Sequence, residues 1–163
     1  MKTKTPLKVR AIQKEDLPHI IAIDGQYGEV KEEYWQNRLN DYLEDQKNRI
    51  FGFCAEKEGI FLGYIWGEIR AWEFGSPPCG WIYSVAVHKD FHQQGIGFLL
   101  CQKIAKAFYQ QGITSVRTMV KRDSLEMLRF FRSCGFQAGP FIELELNLSS
   151  AQDSHDNEQT ELE

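Results

Sequence analysis

Gly95 and Gly97 stand two residues apart, a few positions after the apolar run Val85-Ala86-Val87 and directly before a stretch whose Leu100, Ile104 and Phe108 repeat every four residues. This pattern predicts a buried strand that passes through a short loop into a helix. Glycines let the backbone approach a ligand closely. The first turn of a helix offers unpaired N–H groups and the positive end of its dipole. Together they can hold a pyrophosphate without a basic side chain. Tight strand-to-helix packing is the other use of such a pair, and the two glycines alone do not decide between them. A dinucleotide fingerprint needs a small residue three positions after Gly97, where Leu100 stands instead, which argues against a nicotinamide-type site. The chain also contains no Gly-Lys-Ser/Thr, so a Walker loop is absent.

The elements that must position this segment are legible from periodicity and breakers. Residues 7–13 alternate as a first strand. Asp16-Leu17-Pro18 opens a helix, with Asp16 as its cap and Pro18 in its first turn. Lys31–Glu44 is a second helix, and Ile50–Glu56 and Ile60–Arg70 form a hairpin. On the latter strand Phe61, Ile65 and Ile69 are expected on one face, and Leu62, Tyr64, Trp66 and Glu68 on the other. Trp81–Val87 is the next strand, then comes the helix after Gly97, which Gly112 ends. Ile113–Val120 is a strand. Asp123-Ser124-Leu125-Glu126 reads as a capping box that starts a further helix stopping at Gly135. Phe141–Leu148 alternates apolar and acidic residues and is expected to close the sheet. The order β-α-α-β-β-β-α-β-α-β is mixed α/β and disfavours a regular doubly wound fold.

The 163 residues fit one domain, and a hydrophobic fraction of 42% suffices for a core. Residues 1–6 carry no apolar leader and read as a flexible N-terminus, residues 7–148 as the domain. No apolar run is long enough to span a bilayer. Cys54, Cys79, Cys101 and Cys134 are widely spaced. They are expected to be reduced thiols in a cytoplasmic protein, and no zinc-type spacing or other metal site is seen. The net charge of −4 resides in the C-terminal tail, which carries Asp153, Asp156, Glu158, Glu161 and Glu163 with no Lys or Arg. Without these five acids the chain has 19 basic against 18 acidic residues, which disfavours nucleic acid as a partner. Residues 149–163 lack an apolar face and are expected to be a disordered acidic tail.

The strand end Val85-Ala86-Val87, followed by His92-Gln93-Gln94-Gly95-Ile96-Gly97, resembles the signature of the GNAT superfamily of acetyl-CoA-dependent N-acetyltransferases. A second block of that family, a helix ending in Gly-Phe, is matched by Leu128 to Cys134 with Gly135-Phe136. The element order is similar from about Leu7 to Leu148. The resemblance implies a mixed, mostly antiparallel central sheet flanked by helices, with a V-shaped splay of strands at the cofactor site. It implies that acetyl-CoA is bound by Val85, Ala86, Val87, His92, Gln93, Gln94, Gly95, Ile96, Gly97, Phe98, Ser124 and Phe131. The implied reaction is acetyl transfer to a primary amine, on a small molecule or a protein, by direct attack in a ternary complex. The implied partners are acetyl-CoA and the amine, with no membrane, in a monomer or homodimer. The sequence departs from the pattern where His92 replaces Gln or Arg, where Ser124 replaces a frequent Asn, and where Phe131 replaces a Tyr that protonates the departing sulfur in many members. The last departure keeps open a second reading, a non-catalytic acyl-CoA sensor or interaction module of the same fold.

Acetyl transfer also needs a base when the amine arrives protonated. Glu68 is the leading candidate, since burial beside Tyr64 and Trp66 would raise its pKa. Glu73, in the following loop, is a weaker one. Tyr83 is a weak candidate for the acid, and Cys134 another residue that would take Phe131's place. Histidine is the residue type most often used for proton transfer, but the position of His88 and His92 assigns them to support of the loop. Trp66, Trp72, Phe74 and Trp81 either line an aromatic acceptor pocket or serve packing.

Overall fold

The strand Ile60–Arg70 (β3) is the spine of the molecule: seven consecutive residues, Phe61 to Gly67, are buried. A strand so apolar is stable only when both faces are covered, and the remaining elements supply that cover. The computed structural model describes residues 6–149. The expectations for residues 1–5 and for all but the first residue of the acidic tail lie outside them.

The sheet order is β1-β2-β3-β4-β5, with β1 Lys8–Ala11, β2 Ile50–Lys57, β4 Cys79–Val87 and β5 Val116–Thr118. The first four strands are antiparallel, and β5 runs parallel to β4. Helices α1 (Leu17–Gly25) and α2 (Glu32–Glu44) cover one face, while α3 (Ile96–Gln110) and α4 (Leu125–Ser133) cover the other. One core cluster joins Leu62, Ile65, Ile82, Leu100, Ile104 and Phe108. The other joins Ile20, Trp35, Leu39, Tyr64 and Trp66. This is the mixed, mostly antiparallel α/β sheet that the sequence predicts.

Two irregularities redirect side chains. Between β2 and β3 the register steps from Ala55↔Gly63 to Glu56↔Phe61, so Leu62 is an extra residue in β3. An extra residue reverses the alternation. Phe61 therefore packs with Tyr64 and Trp66, and Leu62 with Ile65, which corrects the faces expected from strict alternation. Between β3 and β4 the register steps from Trp66↔Ser84 to Gly67↔Ile82, making Tyr83 the extra residue of β4. Val85 and Val87 consequently join Ile82 on the α3 face, while Tyr83 and Ala86 face α1 and α2.

Local expectations at three ends are also corrected. Asp16 does not cap α1 with its side chain. Its carboxylate instead accepts two bonds from Arg10, at 2.7 and 2.9 Å, and one from the Gln13 N–H at 2.7 Å. Burial opposes that charge, but the Arg10 hydrogen bonds and the Gln13 N–H prevail and hold the Asp16 pKa below the ordinary range. The capping box at Asp123–Glu126 is absent, since Ser124 makes no side-chain cap bond at the start of α4. Residues 141–147 form no strand, and β5 is the edge of the sheet among the described residues.

Candidate active site

The pairing of β4 with β5 ends at Ile82↔Thr118, whereas β4 continues to Val87. Tyr83 to Val87 thus have no strand partner on that side, and their edge is open to a ligand. A cavity of about 630 Å³ lies there. Val85, Ala86 and Val87 form its floor, His92, Gln93, Gly95, Ile96, Gly97 and Phe98 one end, and Ser124 the rim from α4. Ten of the twelve residues named from the resemblance therefore meet around one space. Gln94 is exposed and does not line it.

The end at α3 has the features of an anion site. Gly95 is the N-cap residue, with φ +76°, where a side chain would be strained. Leu99 is the first residue of the helix to bond a carbonyl, that of Gly95 at 3.1 Å. The N–H groups of Ile96, Gly97 and Phe98 precede it and have no partner of that kind. Gly97 serves a different need. A Cβ there would meet Phe130 Cε2 at 2.8 Å, so this glycine lets α3 and α4 approach. Gly97 thus serves helix packing, and Gly95 the left-handed turn into α3.

His92 supports the loop. Its ring stacks on Tyr27, centroids 6.0 Å apart, and its Nε2 lies 3.1 Å from the Val87 carbonyl, which also accepts from the Tyr27 hydroxyl. The His92 ring is also within hydrogen-bond reach of Tyr27 Oη. His88 accepts from the Asp90 N–H at 3.2 Å and lines neither cavity. Burial, with the Glu126 charge adding to it, pushes the Tyr27 pKa up.

Phe131 does not line this cavity. It is buried, with edge-on contacts to Phe130 and Phe136, and borders a second cavity of about 200 Å³ with Tyr83, Thr118 and Met119. Ser84, Val85 and Met127 are walls of both cavities. The two spaces therefore meet at the β4 bulge, and Phe131 stands on the far side of it.

Of the proton-transfer candidates, Glu68 and Tyr83 lie near Arg38 of α2, and Glu68 lines neither cavity. Glu68 is about a third exposed and bonds Arg70 at 3.4 Å, so it is less buried than its neighbours Tyr64 and Trp66 suggest. Arg70 stacks on Trp81 at 3.9 Å, and Arg38 lies over the rings of Tyr34 and Tyr83. The Tyr83 hydroxyl is buried without a hydrogen-bond partner. Burial, partly opposed by the Arg38 charge, raises its pKa well above the ordinary tyrosine value. Glu73 is exposed on a tight turn with Phe74 and Gly75 at its tip, outside both cavities. Cys134 is half-buried beside Cys101, and all four cysteines are free. Trp66 belongs to the core, whereas Trp72 and Phe74 are exposed. An aromatic pocket built from all four rings is thereby ruled out.

Asp24, Tyr27, Tyr64, Ser84, Phe91, Glu126, Met127, Phe130 and Ser133 also line the cavity, and the sequence alone did not point to them. Gly25 and Gly28 flank Tyr27 and signal no more than the end of a helix, and nothing local connects that end to a loop some 60 residues away. Among the described residues no group of His, Cys, Asp and Glu could hold a metal ion, and no helix is long and apolar enough to cross a membrane.

The family model described as Acetyltransferase (GNAT) matches residues 11–136. The fold is similar to that of an aminoglycoside N-acetyltransferase, AAC(6')-Iy, solved in complex with CoA: TM-score 0.79, 15% identity, 91% of this chain and 99% of that one. Glucosamine-6-phosphate N-acetyltransferase from Arabidopsis thaliana matches with TM-score 0.69 and 18% identity, over 88% of this chain and 99% of that one. Ribosomal-protein-alanine N-acetyltransferase from Brucella melitensis matches with TM-score 0.70 and 12% identity, over 88% and 99%. No curated protein matches the chain in sequence.

Proposed function

The chain belongs to the GNAT acetyltransferase family, and from that premise we propose that it transfers the acetyl group of acetyl-CoA to a primary amine by direct attack. The observation that carries this reading is the junction of the unpaired end of β4 with the N-terminus of α3 in one cavity. A long, anionic, partly apolar co-substrate fits such a space. The pyrophosphate lies at the N–H groups of residues 93–98, where the helix dipole favours negative charge. The pantetheine arm lies along Val85 and Val87. It completes the open edge of β4 with its amide groups, as an added strand would.

The thioester then sits at the bulge, beside Ser84 and Val85. A backbone N–H at that point polarises the carbonyl as charge develops on its oxygen. The amine nitrogen attacks the carbonyl carbon, the C–N bond forms and the C–S bond breaks. Sulfur leaves as a thiolate, which a thiol pKa of about 8.5 makes tolerable. Glu68 takes the proton that the ammonium must lose, directly or through water. Tyr83, whose pKa burial raises, borders the small cavity at the bulge, and in this reading it donates a hydrogen bond there.

Mass spectrometry of amines incubated with acetyl-CoA and the protein tests this reading. An acetylated amine supports it, and unchanged amines across small molecules and peptide N-termini refute it.

A further inference from the structure

Arg38 carries a charge that no side chain pairs. It is half-buried in the middle of α2, and its guanidinium lies 5.6 Å from the centre of the Tyr34 ring and 5.1 Å from that of Tyr83. No carboxylate forms an ion pair with it among the described residues. The other half-buried arginines are engaged. Arg10 holds Asp16 and Glu56, Arg70 holds Glu68, and Arg117 donates to Ser76 Oγ at 2.6 Å. Aromatic faces attract a guanidinium but do not take up the N–H donors along its edge. Those donors match a carboxylate or a phosphate, which they bind two at a time. Drawing a charge out of water without an opposite partner is costly. A ligand that brings an anion removes that cost.

The place of Arg38 in the fold gives such an anion a role. Tyr83 is the extra residue of β4 and is followed by Ser84 and Val85, which wall both cavities. The field of Glu68 reaches both Arg38 and Tyr83, yet Glu68 has Arg70 as its ion-pair partner. The surroundings of the bulge thus hold a carboxylate that is already shared and a guanidinium that is not. One small molecule with an ammonium and an anion complements both in sign. A polycation complements only the carboxylate and meets Arg38 with like charge.

We propose that Arg38 binds an anionic group of the acceptor, so that the amine taken by this chain carries a carboxylate or a phosphate close to its nitrogen. This rests on the acetyl-transfer reading above, which places the thioester beside Ser84 and Val85. Arg38 is then a specificity residue. Its N–H fork holds the anion while the amine nitrogen is presented at the bulge, and no bond of the reaction forms or breaks at Arg38.

Amines that differ only in the anion test this: β-alanine against β-alaninamide, and 2-aminoethyl phosphate against ethanolamine. Acetylated product is quantified by mass spectrometry, and binding of each amine to the protein with CoA is measured by calorimetry. The expected result is a kcat/KM about tenfold or more higher for an anionic member than for its counterpart. The pair that shows it tells carboxylate from phosphate. Arg38→Gln is expected to raise KM for that member by about tenfold or more, roughly 1.4 kcal/mol, with kcat little changed. Arg38→Lys should recover part of the loss. An Arg38→Gln variant that weakens both members of a pair alike overturns the proposal, since a structural role would do the same. So does an unaltered chain that prefers the uncharged counterparts, or spermidine, over both anionic members. If no amine is acetylated, the transfer reading fails by itself and binding decides for Arg38. Anionic members that bind and lose affinity in Arg38→Gln then support the anion site, whereas equal or absent binding within both pairs overturns it. If Arg38→Gln does not fold, the preference of the unaltered chain decides alone.

Discussion

Gly97 on α3 and Phe130 on α4 touch so closely that a Cβ at position 97 would stand 2.8 Å from Phe130 Cε2. Phe130 also lines the large cavity, so helix packing and the shape of the binding space depend on the same contact. Gly95, two residues earlier, has open space around it but a left-handed backbone. The two glycines therefore fail differently when replaced.

Gly97→Ala should destabilise the fold by about 1–3 kcal/mol, the usual cost of overpacking. It should also weaken CoA binding, because Phe130 must yield into the cavity. Gly95→Ala should cost about 1–2 kcal/mol through its backbone alone and leave the Phe130 side of the cavity unchanged. Denaturant melts with calorimetric CoA titrations separate the two. Equal effects of both on affinity would contradict this division of roles.

The ion pair of Arg10 with Asp16 sets an acid limit on stability. The Asp16 pKa is lower in the folded chain than in the unfolded one. Its contribution is therefore present above the unfolded value of about 3.9 and is lost as pH falls through the folded value. Asp16→Ala should cost about 3 kcal/mol near neutrality, at the low end for a buried pair because Arg10 keeps Glu56 at 2.9 Å. The variant's stability should change less than the wild type's between pH 5 and the acid transition, as read by thermal melts.

The core of this site was legible because its signals are local. The apolar run Val85–Val87, the positive-φ requirement at Gly95 and the helical period after it all lie within two dozen residues. The bulges at Leu62 and Tyr83 were not legible, because an extra residue is defined by what lies across the strand. Asp24 and Tyr27 reach the cavity from α1 and the loop after it, through a bond to Val87 that no sequence window contains. Phe141–Leu148 has the pattern of a strand, but alternation does not supply the neighbouring edge that a strand must pair with, and residues 141–147 form none. That element is where the sequence expectation and the structure part.

Phe131→Tyr places a hydroxyl in the small cavity bordered by Tyr83 and Val85. It should keep the fold, and kcat should be unchanged or higher. An unpaired hydroxyl there would cost about 1–3 kcal/mol of stability, and bound CoA should reduce that cost. In the wild-type enzyme the rate should show no loss near pH 10 from deprotonation of a catalytic tyrosine, since burial raises the Tyr83 pKa above its ordinary value. A pH–rate profile with a basic limb that appears only in the variant would support this assignment.

Glu68→Gln keeps the shape of the side chain but removes its basicity and weakens its bond to Arg70. If Glu68 takes the amine proton, kcat should fall by about 10²–10⁴-fold, with most of the activity regained at a pH where the amine is already neutral. A variant with wild-type kcat at pH 7 would remove Glu68 from the mechanism and leave proton loss to water.

With phenylalanine at position 131, this chain is expected to turn over acetyl-CoA. Steady-state release of the CoA thiol, measured against a panel of primary amines and peptide N-termini, tests it most directly. The expected result is amine-dependent release by the wild-type protein above the rate of thioester hydrolysis. A protein that binds acetyl-CoA, releases no thiol with any amine, and gains turnover only as Phe131→Tyr would contradict it and identify a sensor.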